Sequence, residues 1–470
     1  MDMQNLYRMY LQAIEGRQGR EALWDECEKH TLAASLGRAE DIFDSTAVIA
    51  AENLASSLLS QLTPPWSKWF GLGFGAAHGD AAAQEALEDY EQIIQSHFDR
   101  SNFYVEAHQC YLDLVILGTA TMLFEEAPVG AGSAFKFTSV PMREVALAES
   151  NGRIETVFRT TSIALGELRL KFPTAEFSAA EVGIIAKNSE ARINLVEAVL
   201  PREARGYNYI AFLDDVDNLL ARREKIILKE GVFSTSPFIC FRWMKTPADV
   251  YGRSPVMKAL PDIKTANKAV ELALKNASIA VSGVWQADDD GVINLENITL
   301  EPGTIIAKAV GSSGLVPLRT GADFDISQLV IGELRASIGR ALLADRLASA
   351  ATLRMTATEV IERADEMSRI LGATYGRLQS ELLTPVILRA ISILKRRGEI
   401  SDIMVNGREV DLKYRSPLAS HQAARDARNV LTWVDAVAKL GGEALEAIDR
   451  RAVAGFLARA FGVPEKLTSN

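Results

Sequence analysis

Residues 256–281 carry the pattern that most narrows the possible folds. Ile263, Ala266, Val270, Leu274, Ala277 and Val281 recur at helical spacing, while Lys264, Lys268, Glu271 and Lys275 follow at intervals of 4, 3 and 4 on the opposite stripe. One side of such a helix packs; the other is wet and mostly basic. A second helix is predicted over 326–343, and short extended pieces punctuated by glycine and aspartate lie between the two, at 304–310 and 315–318. The order helix, small lobe, helix predicts a stalk with a knob at its tip.

Around this unit the periodicity changes twice. Residues 1–124 read as helical, most clearly over 44–62, where Asp44 or Ser45 can cap the first turn and Val48, Ala51, Leu54, Ala55, Leu58 and Leu62 form the apolar face before Thr63-Pro64-Pro65 stops it. From about 135 to 242 the signal is β-rich, with strands expected at 155–161, 194–200, 207–213 and 238–243 and a short helix at 178–188. Residues 344–355 are small, partly basic and weakly patterned. Thr356 and Glu359 then make a capping box for a long helix that Pro385 should kink and that ends near Arg397. Asn406-Gly407 predicts a hairpin between 403–405 and 409–414, and 421–461 reads as amphipathic helix. The expected class is α+β, mainly helical.

Composition excludes several functions. A chain of 470 residues, 48% hydrophobic, has material for several packed layers. Its net charge of −10 argues against a tight, sequence-independent grip on DNA, which needs a concentrated basic surface, although an acidic protein can still surround DNA without gripping it. The most apolar run, 112–124, contains Asp113 and is about 13 residues long against the ~20 that a membrane span needs, and residues 1–15 show no secretory pattern. Cys27, Cys110 and Cys240 are too few and too scattered for a disulfide framework or a thiolate metal site. No triphosphate-binding loop of the form G-x-x-x-x-G-K-[S/T] occurs, Gly71–Gly75 and Gly130–Gly132 lack the flanking strand and helix, and Asp288-Asp289-Asp290-Gly291 lacks the later glutamate of a calcium loop. No catalytic residue, metal site or cofactor is expected.

Four blocks carry a resemblance. The first is Asp44-Ser45-Thr46-Ala47 leading to Glu52-Asn53-Leu54-Ala55-Ser56-Ser57-Leu58, Leu62-Thr63-Pro64-Pro65 and Trp69-Phe70; the second is Gly118-Thr119-Ala120 with Glu125. The third is Tyr251-Gly252-Arg253-Ser254-Pro255 with Ala259-Leu260-Pro261-Asp262-Ile263-Lys264; the fourth is Arg354-Met355-Thr356-Ala357-Thr358-Glu359-Val360 with Gly372, Arg377-Leu378, Glu381-Leu382 and Pro385. In this order they resemble the portal, or head-to-tail connector, proteins of short-tailed double-stranded DNA phages.

That resemblance implies a wing over 1–250, a first stem helix over 251–281, a clip over 282–322, a second stem helix over 323–343 and a tunnel loop over 344–355. The rest of the wing, with the long kinked helix and the hairpin, would occupy 356–416, and a compact helical crown 417–470. It also implies a non-enzymatic homo-dodecamer at one capsid vertex of the virion, assembled in the host cytoplasm without membrane involvement. Its partners would be capsid and scaffolding proteins, the terminase packaging motor, a tail adaptor, and DNA passing without sequence specificity. Lys264, Lys268, Lys275, Arg346 and Arg354 are the expected DNA-facing groups, against the alternative of solvated or inter-subunit ion-pairing side chains. Trp285, Asp288, Asp289 and Asp290, at the projecting tip, are the expected contacts for motor or adaptor. The competing readings are a head-completion, adaptor or assembly protein, and an enzyme with dispersed carboxylates, which would show a buried carboxylate pair in a closed pocket.

Overall fold

The protein was analysed as a computed structural model describing residues 2–32, 41–65, 67–73, 81–202, 205–214, 220, 227–247, 249–282, 285–286, 316–317, 324–344, 372, 374–401, 411–414, 417–439 and 448–460. Several expectations lie wholly or partly outside these residues, among them the extended pieces of 282–322, the 344–355 loop, the Thr356–Glu359 capping box, the Asn406-Gly407 turn and part of the 421–461 helix.

The first helices are α1 (Met3–Thr31), α2 (Thr46–Leu62), α3 (Ala81–Asp99) and α4 (Phe103–Leu117). Strand β1 (Phe70–Gly73) interrupts them, so the amino-terminal part is not purely helical as its periodicity suggested. Asp44 rather than Ser45 caps α2, its Oδ1 accepting from the Thr46 amide at 2.9 Å. The apolar run 112–124 also divides: α4 ends at Leu117, Gly118 turns at φ 77°, and β2 (Thr119–Glu126) follows. An apolar run reads alike in a buried helix and a buried strand; here glycine marks the change.

Strand β2 is the centre of a three-stranded antiparallel sheet, between β3 (Phe135–Val140) and β9 (Phe238–Arg242). A second antiparallel sheet runs in sequence order through β4 (Val145–Ser150), β5 (Arg153–Ala164), β6 (Arg192–Pro201), β7 (Tyr207–Asp214) and β8 (Ile227–Phe233). Strand alternation buries both of its faces. Val196, Ala198, Ile210 and Phe212 pack on Leu6 and Tyr10 of α1, while Leu195, Ala211 and Leu213 pack with the short helices α5 (Leu165–Lys171) and α6 (Ala179–Lys187). Ser178 and Glu181 close a capping box at α6, which lies within the predicted 178–188.

Next comes α7 (Pro255–Ser282), a short pair β10 (Trp285–Gln286) and β11 (Val316–Pro317), and α8 (Phe324–Ala341). The two predicted helices are thus present with a short antiparallel pair between them, and the rest of the expected lobe lies outside the described residues. The helices are antiparallel: Asp262 near the start of α7 accepts from Ser337 near the end of α8 at 2.7 Å.

Pro385 sits in α9 (Thr384–Arg397), directly after a π-helical turn, Gln379–Leu383. Proline lacks the amide that would bond the carbonyl of Glu381, and its ring would press on that carbonyl in a straight helix. The wider turn relieves this, and Thr384 donates from Oγ1 to the Gln379 carbonyl at 2.8 Å. Strand β12 (Asp411–Tyr414), one arm of the predicted hairpin, pairs with β1 over Phe70↔Tyr414 to Gly73↔Asp411. This partner is over 300 residues away in sequence, while the predicted turn and the other arm of the hairpin lie outside the described residues. The last described elements are α10 (Pro417–Ala438) and α11 (Arg450–Ala460).

Candidate functional site

The sequence blocks that lie far apart in the chain meet where α7 leaves the sheets. Ser254 is the hinge of this meeting: its Oγ accepts from the Met257 amide at 2.8 Å, capping α7, and donates to the Ile116 carbonyl at 2.8 Å at the end of α4. Pro255 begins the helix, where a missing amide is harmless. The Gly252 amide donates to Thr119 Oγ1 at 2.8 Å, and the Trp243 amide donates to the Gly118 carbonyl at 3.0 Å. The two backbones touch so closely that a Cβ on Gly118 would lie 2.7 Å from the Gly252 oxygen and 2.7 Å from the Ser254 nitrogen. Both glycines are needed for this approach, and Gly118 also for its left-handed turn. Tyr251 completes the joint, stacking edge-on with Trp24 at 5.3 Å and accepting from the Leu147 amide at 3.1 Å.

Behind the joint Arg242 is fully buried. Its guanidinium donates to Glu381 at 2.6 Å, to Glu149 at 2.7 Å, to the Val250 carbonyl at 3.0 Å and to the Gly152 carbonyl at 3.2 Å. Its own amide also donates to Glu381, at 3.0 Å. Burial opposes the charge on Arg242, but Glu381 and Glu149 more than offset that cost and its pKa is raised. Lys245 joins through Glu149, and Arg377 lies 3.5 Å from Glu381. Glu381 belongs to the π-helical turn, so one buried cation ties β9, the β4–β5 turn, the approach to α7 and the kinked helix together.

A third contact set pins both long helices to α2. Asn267 of α7 accepts through Oδ1 from the amides of Phe43 and Asp44 at 2.7 and 3.0 Å and donates to the Asp41 carbonyl at 2.9 Å. Asp44 also accepts from Arg335 of α8 at 2.8 Å. Burial works against ionisation of Asp44, yet the hydrogen bonds from Thr46 and Arg335 outweigh it and hold its pKa down.

Lys264, Lys268 and Lys275 do share one exposed stripe of α7, as their spacing predicted. Each is ion-paired within the chain: Lys264 with Glu26 at 2.5 Å, Lys268 and Lys275 with Glu271 at 3.0 and 2.6 Å. All three remain more than half exposed, so the pairs are weak and the groups stay accessible to a passing polyanion. Arg346, Arg354, Asp288, Asp289 and Asp290 lie outside the described residues. Trp285 lies in β10, opposite Pro317.

Sequence reasoning did not single out Arg242, Asn267 or Arg335. The available signal for Arg242 was an arginine closing an otherwise apolar strand, Phe238–Arg242. Among the described residues no group of three His, Cys, Asp or Glu side chains could hold a metal ion. The cysteines are buried, and burial pushes the Cys27 and Cys240 thiols up to about 12, far from a reactive thiolate. No helix among the described residues is long and apolar enough to cross a membrane.

Residues 4–468 match the family described as bacteriophage head to tail connecting protein. The chain belongs to that family. The connector is similar to a probable portal protein of Bordetella phage BPP-1, at 24% identity over 88% of this chain and 76% of the relative. It is also similar to portal proteins of Enterobacteria phage T3, at 21% over 84% of this chain and 75% of that one, and Salmonella phage epsilon15, at 24% over 87% and 76%. Among solved structures, a chain from the neck of an empty GTA particle aligns over 87% of this chain and 88% of its own, at 11% identity and a TM-score of 0.39.

Proposed function

We propose that this connector is the subunit of a dodecameric portal ring at one capsid vertex, a structural and non-enzymatic part through which DNA is packaged and later released. The observation that carries the reading is the anchored pair α7 and α8. Two antiparallel helices are fixed at one end by the Gly118–Gly252 joint and by the Asp44, Asn267 and Arg335 contacts, and they project toward the β10–β11 pair. In this reading the pair forms the stem, 282–322 the clip that meets terminase or the tail adaptor, and 344–355 the tunnel loop.

A conduit must attract phosphate weakly enough to let it slide. The stripe of Lys264, Lys268 and Lys275, half-neutralised by Glu26 and Glu271, on a chain of net charge −10, fits that requirement better than a deep basic groove. Ring assembly with leucines still exposed on the far part of the stem, Leu272 and Leu274 on α7 and Leu329 on α8, would bury apolar surface that an isolated chain leaves wet.

The test is DNA retention in heads assembled with the connector in which Lys264, Lys268 and Lys275 are all changed to Gln. Rings should form normally, while loss of packaged DNA should depend on salt differently from the parent. Retention and salt dependence identical to the parent would remove these lysines from the channel. For the clip, alanine at Asp288, Asp289 and Asp290 should weaken motor or adaptor docking with rings intact; unchanged docking contradicts that assignment.

A further inference from the structure

A cavity of about 300 Å³ opens between the two sheets and α9, apart from the joint that holds the stem. Leu123, Val232, Phe233 and Phe238 give it apolar walls, and Arg389 and Lys229 face it. Arg389 is only 4% exposed. Its Nε donates to the Phe124 carbonyl at 2.7 Å and its Nη1 to the Thr235 carbonyl at 2.7 Å, and the guanidinium lies 5.1 Å over the Phe233 ring. Nη2 has no hydrogen-bond partner, and Arg389 no carboxylate counter-ion, among the described residues. Burial above all, with the nearby charge of Arg396, pulls the Arg389 pKa down to about 10, against the opposing pull of Glu125 and Glu126. Lys229, exposed at the rim, also makes no ion pair among the described residues.

The carboxylates around the cavity are in the opposite condition, because each already has its cation. Glu126 pairs with Arg396 and lies 3.6 Å from Arg397. Glu197 accepts from Tyr209 at 2.8 Å and lies 3.8 Å from Arg159, while Glu125 lies 3.5 Å from Lys136. What lacks a direct partner is positive: a buried guanidinium bonded only to neutral oxygens, with Glu125 and Glu126 acting on it from beyond ion-pair distance, and Lys229 on the same cavity. A buried cation without a counter-ion is costly, and an incoming carboxylate removes that cost.

The second observation is the backbone next to the cavity. Among the described residues, strand β8 is the edge of the five-stranded sheet and pairs only with β7. Residues 229–232 are exposed, Val232 at 57%, and a Cβ on Gly231 would meet only the Tyr209 ring, at 4.0 Å. Glu230 is not among the residues that line the cavity. An open edge of this kind is a template for an added strand.

We propose that the β8 edge and this cavity form a docking site for an extended acidic segment of another protein, which pairs alongside β8 and places one carboxylate on Arg389 and Lys229. The methylenes of a glutamate would lie against Leu123 and Phe238, and the site reads charge through the cations and extension through the strand. It is separate from the DNA path and from the clip, and it depends on neither assignment.

The test is fluorescence anisotropy of the intact connector with a short labelled peptide of alternating valine and glutamate. Saturable binding is expected, weakened about tenfold or more when glutamine replaces glutamate. Lys229→Glu and Val232→Glu, both at exposed positions and checked for unchanged circular dichroism, should weaken binding similarly. The same peptide N-methylated at alternate residues should not bind, because it cannot form the ladder. Absence of saturable binding, or equal affinity for the glutamine peptide, overturns the proposal. Equal affinity for the N-methylated peptide, or full displacement by acetate or inorganic phosphate alone, overturns it as well, since either result would mark a small-anion pocket rather than a strand-docking site.

Discussion

Replacing Gly118 by alanine strikes the point where the sheets, α4 and α7 are in backbone contact. The new methyl would lie 2.7 Å from both the Gly252 oxygen and the Ser254 nitrogen, against the 3.4 Å or more of ordinary contact, and it sits on a backbone with φ of 77°. Alanine in the left-handed region costs about 1–2 kcal/mol. Relief of the clash requires the two segments to separate, which breaks the Gly252–Thr119, Ser254–Ile116 and Trp243–Gly118 hydrogen bonds, each worth about 1 kcal/mol net. The expected loss is therefore about 4–5 kcal/mol, measured by urea unfolding at one fixed protein concentration, since the proposed assembly would make apparent stability concentration-dependent. Limited proteolysis should show new cleavage close to 243–254. Gly183→Ala in α6, where a Cβ meets nothing within 4 Å, is the control and should gain about 0.5–1 kcal/mol. A loss below about 1 kcal/mol for Gly118→Ala would refute the close-approach argument.

Other outcomes follow from the same geometry. Arg242→Met should cost about 3–5 kcal/mol because it strands Glu381 and Glu149, and combining it with Glu381→Leu should recover at least about 1 kcal/mol in a double-mutant cycle; additive losses would mean that the pair is uncoupled. Asn267→Ala removes the acceptor of two backbone amides and should lose about 2–3 kcal/mol while leaving the far end of α7 helical by hydrogen exchange. Burial raises Asp113 to about 7, so its favourable contribution is complete below the unfolded carboxylate value and is lost as pH rises through about 7; Asp113→Asn should stabilise the protein at pH 8 by roughly 1–3 kcal/mol and flatten the fall in stability between about pH 4 and 7. Asp44 and Glu149 act with the opposite sign: their pKa values are depressed, so their contribution is present above the ordinary carboxylate range and is lost as pH falls through the depressed values.

Periodicity made the first half of α7 legible: Ile263 and Ala266 are buried as their spacing predicts, whereas Leu274 on the same predicted face is exposed. The stripe of Lys264, Lys268 and Lys275 needed nothing else. Three features were not written locally. The start of β2 lies in an apolar run that suits either helix or strand, and only Gly118 marks the boundary. The β1–β12 pairing joins Phe70 to Tyr414, and long-range partners leave no short-range pattern. Arg242 is a charge whose counter-ions, Glu149 and Glu381, come from distant segments on either side of it in sequence. The four blocks of the resemblance were legible as helix caps and stops; what the structure adds is that described parts of the second and third meet at one joint, with Glu381 of the fourth on Arg242 behind it and Asp44 of the first on α7 and α8.

The central claim is that this connector forms a ring, and native mass measurement with negative-stain microscopy on the purified protein tests it most directly. A population of about a dozen copies with a central hole is the predicted result. A compact monomer or dimer at high concentration, unchanged by salt or by scaffolding protein, would contradict it.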